Sequence, residues 1–193
     1  MDGFSRRTEA KQQAILDAAQ RQFFAAGVRE ATIAAIAKEA GVSQVSIYNY
    51  FGSKNALLRE VMLRYMNASL QQADALLASS QPFPEKLKEL LSLKSPAKLP
   101  FGHNFTETVP WDDPKIQEAY REFAQTKALP FIFRLVDQGK AEGCIHPSVN
   151  HEAAAAYVGA IMSVLTQPEF LKRDGAFKES LQQLFFYGLV GKR

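Results

Sequence analysis

The feature that most constrains this chain of 193 residues is the stretch Thr32–Lys54, which reads T-I-A-A-I-A-K-E-A-G-V-S-Q-V-S-I-Y-N-Y-F-G-S-K. Apolar residues recur in it at helical spacing and form one stripe, namely Ile33, Ile36, Ala37 and Ala40. Gly41 can take the positive φ that ends a helix, and the Ser43 side chain can cap the helix that follows. The stretch therefore predicts two short helices joined by a tight turn, with a third helix beginning near Ser53.

The second short helix is expected to turn small and amide-bearing side chains outward. Ile47 and Phe51 lie one turn apart and should face the interior. The outer side then consists of Val45, Ser46 and Asn49, with Tyr48 on the flank. A helix of this kind, braced by another helix across a short turn, suits insertion into a DNA major groove.

Helical periodicity continues on both sides of this stretch, and no strand-like alternation is found, which predicts an all-α chain. A preceding helix, with Thr8 as its N-cap and Gly27 as its stop, would complete a head of three helices. A long helix is predicted from Ala56 to about Ser79. Pro130 should kink or end a helix near Leu129. The remaining helices are predicted at about 84–93, 114–129, 130–139, 152–166 and 177–189.

Two domains are expected from this arrangement, a DNA-binding head at residues 1–53 and a helical body at residues 54–193. Basic residues at the start of the first helix admit two interpretations, a flexible arm that contacts phosphates or a solvated terminus; they are Arg6, Arg7 and Lys11. The stretch from Ser95 to Asp113 has no clear periodicity, and Asp112 or Asp113 can cap the helix that follows it.

The head resembles the TetR/AcrR family of bacterial transcriptional regulators. The resemblance is carried, without a gap from about Ala14 to Leu58, by A-I-L-D-A-A-Q-R-Q-F-F-A-A-G, T-I-A-A-I-A-K-E-A-G-V-S and Q-V-S-I-Y-N-Y-F-G-S-K-N-A-L-L. It implies a three-helix helix-turn-helix DNA-binding head followed by a larger helical body for ligand binding and dimerisation. The body itself matches the family only in layout.

The resemblance also implies roles for individual residues of the head. Phosphate contacts would fall on Thr32, Tyr48, Tyr50 and Lys54, base contacts on Ala34, Gln44, Val45 and Asn49, and Ser43 and Ser46 would belong to the same interface. An amide can bond bidentately to an adenine edge and an apolar side chain can contact a thymine methyl, so an A/T-containing half-site is expected. Many family members place a charged side chain near Ala34 and Ala35. The first short helix is therefore expected to act mainly as a brace and a phosphate contact.

In the family, the body binds a small molecule and the last two helices form a four-helix dimer interface. The candidates for the ligand site are Met62, Met66, Phe101, His103, Phe105, Trp111, Tyr120 and Phe123, for which ordinary core packing is the alternative. The candidates for the dimer interface are Tyr157, Ile161, Leu165, Leu181, Leu184, Phe185 and Leu189. Packing within one subunit is the alternative for this second set.

Composition limits the other function classes. Cys144 is the single cysteine, which excludes an intrachain disulfide and fits a reducing cytoplasm. No secretory signal follows Met1, and no apolar run is long enough to span a membrane. The three histidines lie on separate elements without metal-ligand spacing, so neither a metal nor a cofactor is expected. No catalytic constellation stands out, so an enzyme is not expected.

The leading hypothesis is a homodimeric repressor that binds a palindromic operator in double-stranded DNA and leaves it when a small, largely apolar effector binds. One alternative is a DNA-binding regulator or activator that needs no ligand. The other is an all-α ligand-binding module whose head is vestigial. The identity of the effector and the sequence of the operator are not encoded in any recognisable pattern.

Overall fold

The computed structural model describes residues 3–93, 105, 108–165 and 175–190, and in these ranges the chain forms helices and turns without a β-strand. The helices are α1 (Gly3–Ala26), α2 (Ile33–Ala40), α3 (Gln44–Phe51), α4 (Lys54–Leu77), α5 (Phe83–Leu93), α6 (Pro114–Phe123), a π-helical segment (Ala124–Ala128), α7 (Leu129–Ala141), α8 (His151–Leu165) and α9 (Gly175–Val190). The all-α class predicted from the sequence is confirmed.

Local sequence signals set the bounds of α2 and α3. Thr32 Oγ1 accepts a hydrogen bond of 3.1 Å from the Ala35 amide, and Ser43 Oγ accepts one of 3.1 Å from the Ser46 amide. Gly41 ends α2 in the left-handed conformation, with φ of +67°. A side chain at this φ would be strained, which explains why glycine stands there. The cap predicted at Ser43 and the helix end predicted at Gly41 are confirmed, and the Thr32 cap is an additional finding.

The core of the head lies where the apolar stripes of four helices meet. Its buried residues include Ile15, Ala18, Ala19 and Phe23 of α1, Ile33, Ile36 and Ala37 of α2, Ile47 of α3, and Leu57, Leu58 and Val61 of α4. Each of the buried isoleucine, leucine, valine and phenylalanine side chains contributes about 1.5–3 kcal/mol through removal from water. The stripes predicted from helical spacing are the surfaces that pack together.

The predicted start of the first helix at Thr8 is wrong, because α1 begins at Gly3. The residues before Thr8 include arginines, which have high helix propensity, so the helix extends beyond the first good capping residue. Arg6, Arg7 and Lys11 therefore lie on a helix with exposed side chains, so the segment is not the expected flexible arm. A phosphate contact from these side chains stays a prediction.

Of the two outcomes expected at Pro130, an end of the helix near Leu129 is wrong, and a kink there stays a prediction. The chain is helical from Pro114 to Ala141, and the π-helical segment Ala124–Ala128 immediately precedes Pro130. The Leu129 amide bonds to the Ala124 carbonyl, five residues earlier. Proline lacks an amide hydrogen and crowds the carbonyl four residues before it, and we attribute the wider turn to that requirement.

The chain divides into two compact units. The first unit comprises residues 1–68 and 100–121, and the second unit comprises residues 69–99 and 122–193. The first unit is therefore larger than the three-helix head, since the start of α4 and most of α6 belong to it. The functional boundary between residues 53 and 54 stays a prediction.

The second unit has its own core and two polar interactions at helix ends. The buried residues of this core include Leu77, Phe83, Leu87, Leu135, Ile145 and Phe185. A Glu142 carboxylate oxygen accepts a 2.8 Å hydrogen bond from the Phe83 amide at the start of α5, and this bond lowers the pKa of Glu142. The buried Lys86 ammonium donates a 2.7 Å hydrogen bond to the Leu77 carbonyl at the end of α4. Both interactions satisfy backbone groups that helix ends leave unpaired.

Candidate nucleic-acid interface

The outer face of α3 carries the side chains that the sequence assigns to base reading. Gln44 and Asn49 are exposed, and Val45 is 66% exposed, which is high for an apolar residue. Tyr48 is 49% exposed on the same helix, whereas Ile47 is 1% exposed and packs into the core. Val45 and Asn49 lie on the side of the helix away from Ile47, Tyr48 lies on the flank, and Gln44 is exposed in the first turn.

Ser43 and Ser46 are engaged in holding the start of α3. The two hydroxyl oxygens lie 2.9 Å apart in a hydrogen bond, in addition to the bond from the Ser46 amide to Ser43 Oγ. These contacts fix the first turn of the helix that carries Gln44 and Val45. The arrangement assigns the two serines to orienting the interface, and a direct DNA contact from either stays a prediction.

Thr32 and Ala34 lie side by side and exposed at the start of α2. Because Thr32 Oγ1 accepts the capping hydrogen bond, its own hydroxyl hydrogen remains available as a donor. Donors at a helix N-terminus favour anions such as phosphate. This geometry is compatible with the predicted phosphate contact of Thr32. Ala34 offers only a methyl group.

Lys54 is tied to the turn that precedes α2. Its ammonium donates a 3.3 Å hydrogen bond to the Arg29 carbonyl. Partial burial lowers the pKa of Lys54, an effect that the nearby Glu30 carboxylate opposes. The side chain is thus held near the beginning of α4, where the sequence predicts a phosphate contact.

Tyr50 is half-buried and packs against the head's core, unlike the exposed Tyr48. Its ring meets that of Phe51 edge to face, with centroids 6.5 Å apart. A phosphate contact from Tyr50 would therefore have to come from its hydroxyl end, and it stays a prediction.

Polar side-chain contacts join α1 to α2, the helix that precedes α3. Arg21 Nε and Gln22 Nε2 each donate a 2.6 Å hydrogen bond to the Glu39 carboxylate. The Arg21 bond is the main reason that the pKa of Glu39 lies below its usual 4.5. The Arg21–Glu39 pair therefore stabilises the folded state above about pH 4.5, and this stabilisation is lost as the pH falls through the lowered pKa of Glu39. Because the pair is exposed, its effect on stability is small.

The predicted ligand-site residues do not all come together. Met62, Met66 and Tyr120 line a small cleft of about 170 Å³ in the first unit, together with Arg59, Leu63, Ile116 and Ala119. Trp111 borders it through an edge-to-face contact with Tyr120, at a centroid distance of 5.9 Å. That volume includes open solvent, and the space that could hold a water molecule is close to zero. The cleft is therefore a shallow groove and not a formed ligand pocket, which typically holds roughly 300–1,000 Å³.

The other candidates for that site have different surroundings. Phe105 is 6% exposed and packs in the head's core, where its ring meets the Phe24 ring at 4.9 Å. The core alternative therefore describes Phe105. Phe123 belongs to the second unit and lies 6.0 Å from the Lys127 ammonium. Phe101 and His103 lie outside the described residues.

The predicted dimer residues divide into packed and exposed members. The Tyr157 and Phe185 rings stack with centroids 5.5 Å apart, and Phe185 is 3% exposed, so both pack within the subunit. Leu184 is 67% exposed and Leu181 is half-buried. The side chains of Ile161, Leu165 and Leu189 lie outside the described part. The sequence pattern did not indicate that Gly188 packs against Tyr157 within the subunit, where a Cβ at Gly188 would collide with Tyr157 Oη.

In the described ranges, no three side chains of the His, Cys, Asp or Glu type gather into a possible metal site. His146 Nδ1 shares a 2.7 Å hydrogen bond with Ser148, and His151 Nε2 lies 2.7 Å from Asp137. No helix in the described part is long and apolar enough to cross a membrane.

A family model supports the interpretation of this geometry. The model of the bacterial regulatory proteins of the tetR family matches residues 15–61, which span α1 to α4 and include the whole outer face of α3. The head of the chain is a tetR-family domain, and the chain is a transcriptional regulator of this type. Because the matching proteins are regulatory proteins, the expectation that it is not an enzyme is confirmed.

Similar proteins extend the likeness of this TetR-family regulator beyond its head. An uncharacterised helix-turn-helix transcriptional regulator, YhgD of Bacillus subtilis, is 26% identical over 141 residues, covering 71% of this chain and 73% of YhgD. The structure of FadR from Bacillus subtilis in complex with stearoyl-CoA has a TM-score of 0.68 at 20% identity, covering 92% of this chain and 98% of FadR. The structure of a transcriptional regulator from Saccharomonospora viridis in complex with choline has a TM-score of 0.73 at 23% identity, covering 94% of this chain and 98% of that regulator. At these identities the solved structures show the fold alone.

Proposed function

We propose that this regulator is a homodimeric repressor that binds a palindromic operator in double-stranded DNA and is released by a small, largely apolar effector. The exposed face of α3 is the observation that carries the proposal. Gln44, Val45 and Asn49 face outward from a helix whose start is capped by Ser43 and whose inner side is buried at Ile47. A regulator of this kind acts in the cytoplasm, where the DNA is.

Specificity resides in the chemistry of these three side chains. Gln44 and Asn49 each offer an amide donor and acceptor, which match the N6 and N7 groups of adenine in the major groove. Val45 offers methyl groups for a thymine methyl. Backbone contacts from Thr32, Tyr48 and Lys54 fix the register without reading sequence. The half-site therefore contains A/T base pairs.

Dimerisation through α8 and α9 is the second part of the proposal. A single recognition helix makes few base contacts, and two-fold dimers that read two half-sites are the usual solution. The exposed Leu184 of α9 supplies an apolar anchor. Small residues on the exposed side of α8 would allow close helix approach; they are Ala153, Ala156 and Ala160.

Release by an effector is the third part. FadR from Bacillus subtilis and the Saccharomonospora viridis regulator have been solved with stearoyl-CoA and choline, so proteins of this fold accommodate very different ligands. Met62, Met66 and Tyr120 give the small cleft in the first unit an apolar lining. An effector that binds better to a conformation unable to bind the operator shifts the population and lowers DNA affinity.

Substitution of the base-reading amides tests the proposal directly. Asn49→Ala and Gln44→Ala should each weaken binding to the preferred operator by about tenfold and relax the base preference at one position of each half-site. Gln125→Ala is the matched control, because it removes an exposed amide outside the head and should leave binding unchanged. Fluorescence anisotropy with a panel of single-base operator variants measures both effects. If both head variants bind every operator as the parent does, the assignment of α3 is wrong.

A further inference from the structure

The turn that leads into α2 is held by a side chain from far along the sequence. The Val28 amide donates a hydrogen bond of 2.7 Å to Thr108 Oγ1, across 80 residues. Thr108 Oγ1 also lies 3.3 Å from the Phe105 carbonyl, to which it donates. A hydroxyl group can accept one hydrogen bond and donate another, so threonine and serine satisfy both partners, whereas valine satisfies neither.

This turn, residues 27–31, is closely packed and leads directly to the DNA-facing groups. Val28 and Ala31 are buried, and the Ala31 amide bonds to the Gly27 carbonyl at 3.2 Å. The next residue is Thr32, the N-cap of α2. Within the same turn, the Arg29 carbonyl accepts the hydrogen bond from Lys54. Side chains from two other segments thus fix the turn at Val28 and at Arg29.

The segment that supplies Thr108 is itself anchored in the first unit. Phe105, Val109 and Ile116 are buried in the head's core. Asp113 accepts a 2.9 Å hydrogen bond from the side chain of Asn55, which follows Lys54 directly. Asp113 also caps the start of α6 by accepting a hydrogen bond from the Lys115 amide. Thr108 is therefore attached to a packed support and can hold the turn in place.

We propose that Thr108 is a positioning residue of the DNA interface: its hydroxyl fixes the turn at residues 27–31 and so places Thr32 and Lys54 against the DNA backbone. This inference rests on the proposed DNA-binding function. Thr108 contacts no DNA in this proposal. Without its hydroxyl, the buried Val28 amide loses its acceptor, and the turn is expected to shift or to become mobile to reach water.

The test compares Thr108→Val, which keeps the side-chain shape, with Thr108→Ser, which keeps the hydroxyl. DNA selected by the unaltered protein from a random pool serves as the probe. Thr108→Val should bind it about tenfold more weakly. Because a misplaced turn loses a phosphate contact, the slope of log affinity against log salt concentration should become shallower by about one. Thr108→Ser should restore affinity and slope. Thr126→Val, the same change at an exposed hydroxyl of the second unit, should alter neither.

Two further results decide between positioning and mere stabilisation. All binding is measured well below the melting temperature of each variant, which circular dichroism provides. A Thr108→Val protein that melts earlier but keeps the parent's affinity and salt slope overturns the inference. Combining Thr108→Val with Thr32→Val should weaken binding by less than the product of the two single effects, because both act through one contact; independent effects contradict the proposal. If the unaltered protein selects no DNA, the proposed function fails first and the role of Thr108 falls with it.

Discussion

Replacing Phe105 by alanine is expected to lower the free energy of unfolding of the first unit by about 3–5 kcal/mol, the usual cost of deleting a buried aromatic ring. Phe105 is 6% exposed, and its ring meets that of Phe24, which in turn meets Tyr65 at 5.5 Å. The substitution therefore leaves a cavity within a cluster of three rings. It should destabilise the DNA-binding head even though residue 105 is remote from it in sequence.

Trp111 provides a specific signal for this experiment. It is the single tryptophan of the chain and belongs to the first unit, so its fluorescence during urea unfolding reports on that unit. Tyr120→Ala is the matched control, since Tyr120 is an aromatic residue of the same unit but is 51% exposed. Its loss should cost about 1 kcal/mol, the value of its edge-to-face contact with Trp111. Equal midpoints for the two variants would contradict the placement of Phe105 in the core.

A methyl group added to two helical glycines is expected to act in opposite directions. At Gly139 of α7, a Cβ would lie 2.6 Å from Ile145 Cδ1 and 2.7 Å from Phe83 Cζ. Phe83 and Ile145 are almost completely buried and have little room to move. Gly139→Ala should therefore destabilise the second unit by about 1–3 kcal/mol through overpacking. At the exposed Gly159 of α8, a Cβ meets nothing within 4 Å, and Gly159→Ala should stabilise by about 0.5–1 kcal/mol.

Urea unfolding followed by far-ultraviolet circular dichroism measures both glycine variants. Protein concentration has to be equal in all samples, because association would add to the apparent stability. The comparison isolates packing, since the chemical change and the gain in helix propensity are the same at the two positions. An increase in stability for Gly139→Ala would show that Ile145 and Phe83 relax around the methyl group, contrary to the close packing described here.

The parts of the fold that follow from short-range chemistry could be predicted from the sequence. The caps at Thr32 and Ser43 and the glycine at position 41 define α2 and α3 through contacts a few residues apart. The spacing of 3.6 residues per turn places Ile47 inside and leaves Asn49 outside. The exposed face of α3 is thus determined by residues that are close in sequence, and for this reason it agrees with the prediction.

The errors and omissions have a common cause in interactions that the local pattern does not contain. A capping residue such as Thr8 marks where a helix can start, but the favourable propensity of the residues before it lets α1 begin earlier. Pro130 indicates an interruption, but a π-helical segment accommodates it within a continuous helical run. The contacts of Phe105 and Thr108 with α1 and its turn span about 80 residues, and helical periodicity carries no information about such pairs.

Selection of bound DNA from a random pool at physiological salt will show whether this protein reads an operator as a two-fold dimer. The enriched sequences should contain two inverted, A/T-containing half-sites. Their centres should lie about 34–36 Å apart along the helix, or at a multiple of that spacing, as required by a two-fold dimer that inserts one α3 per half-site. Enrichment of a single unsymmetrical site would contradict the dimer, and failure to enrich any sequence would contradict the DNA-binding function itself.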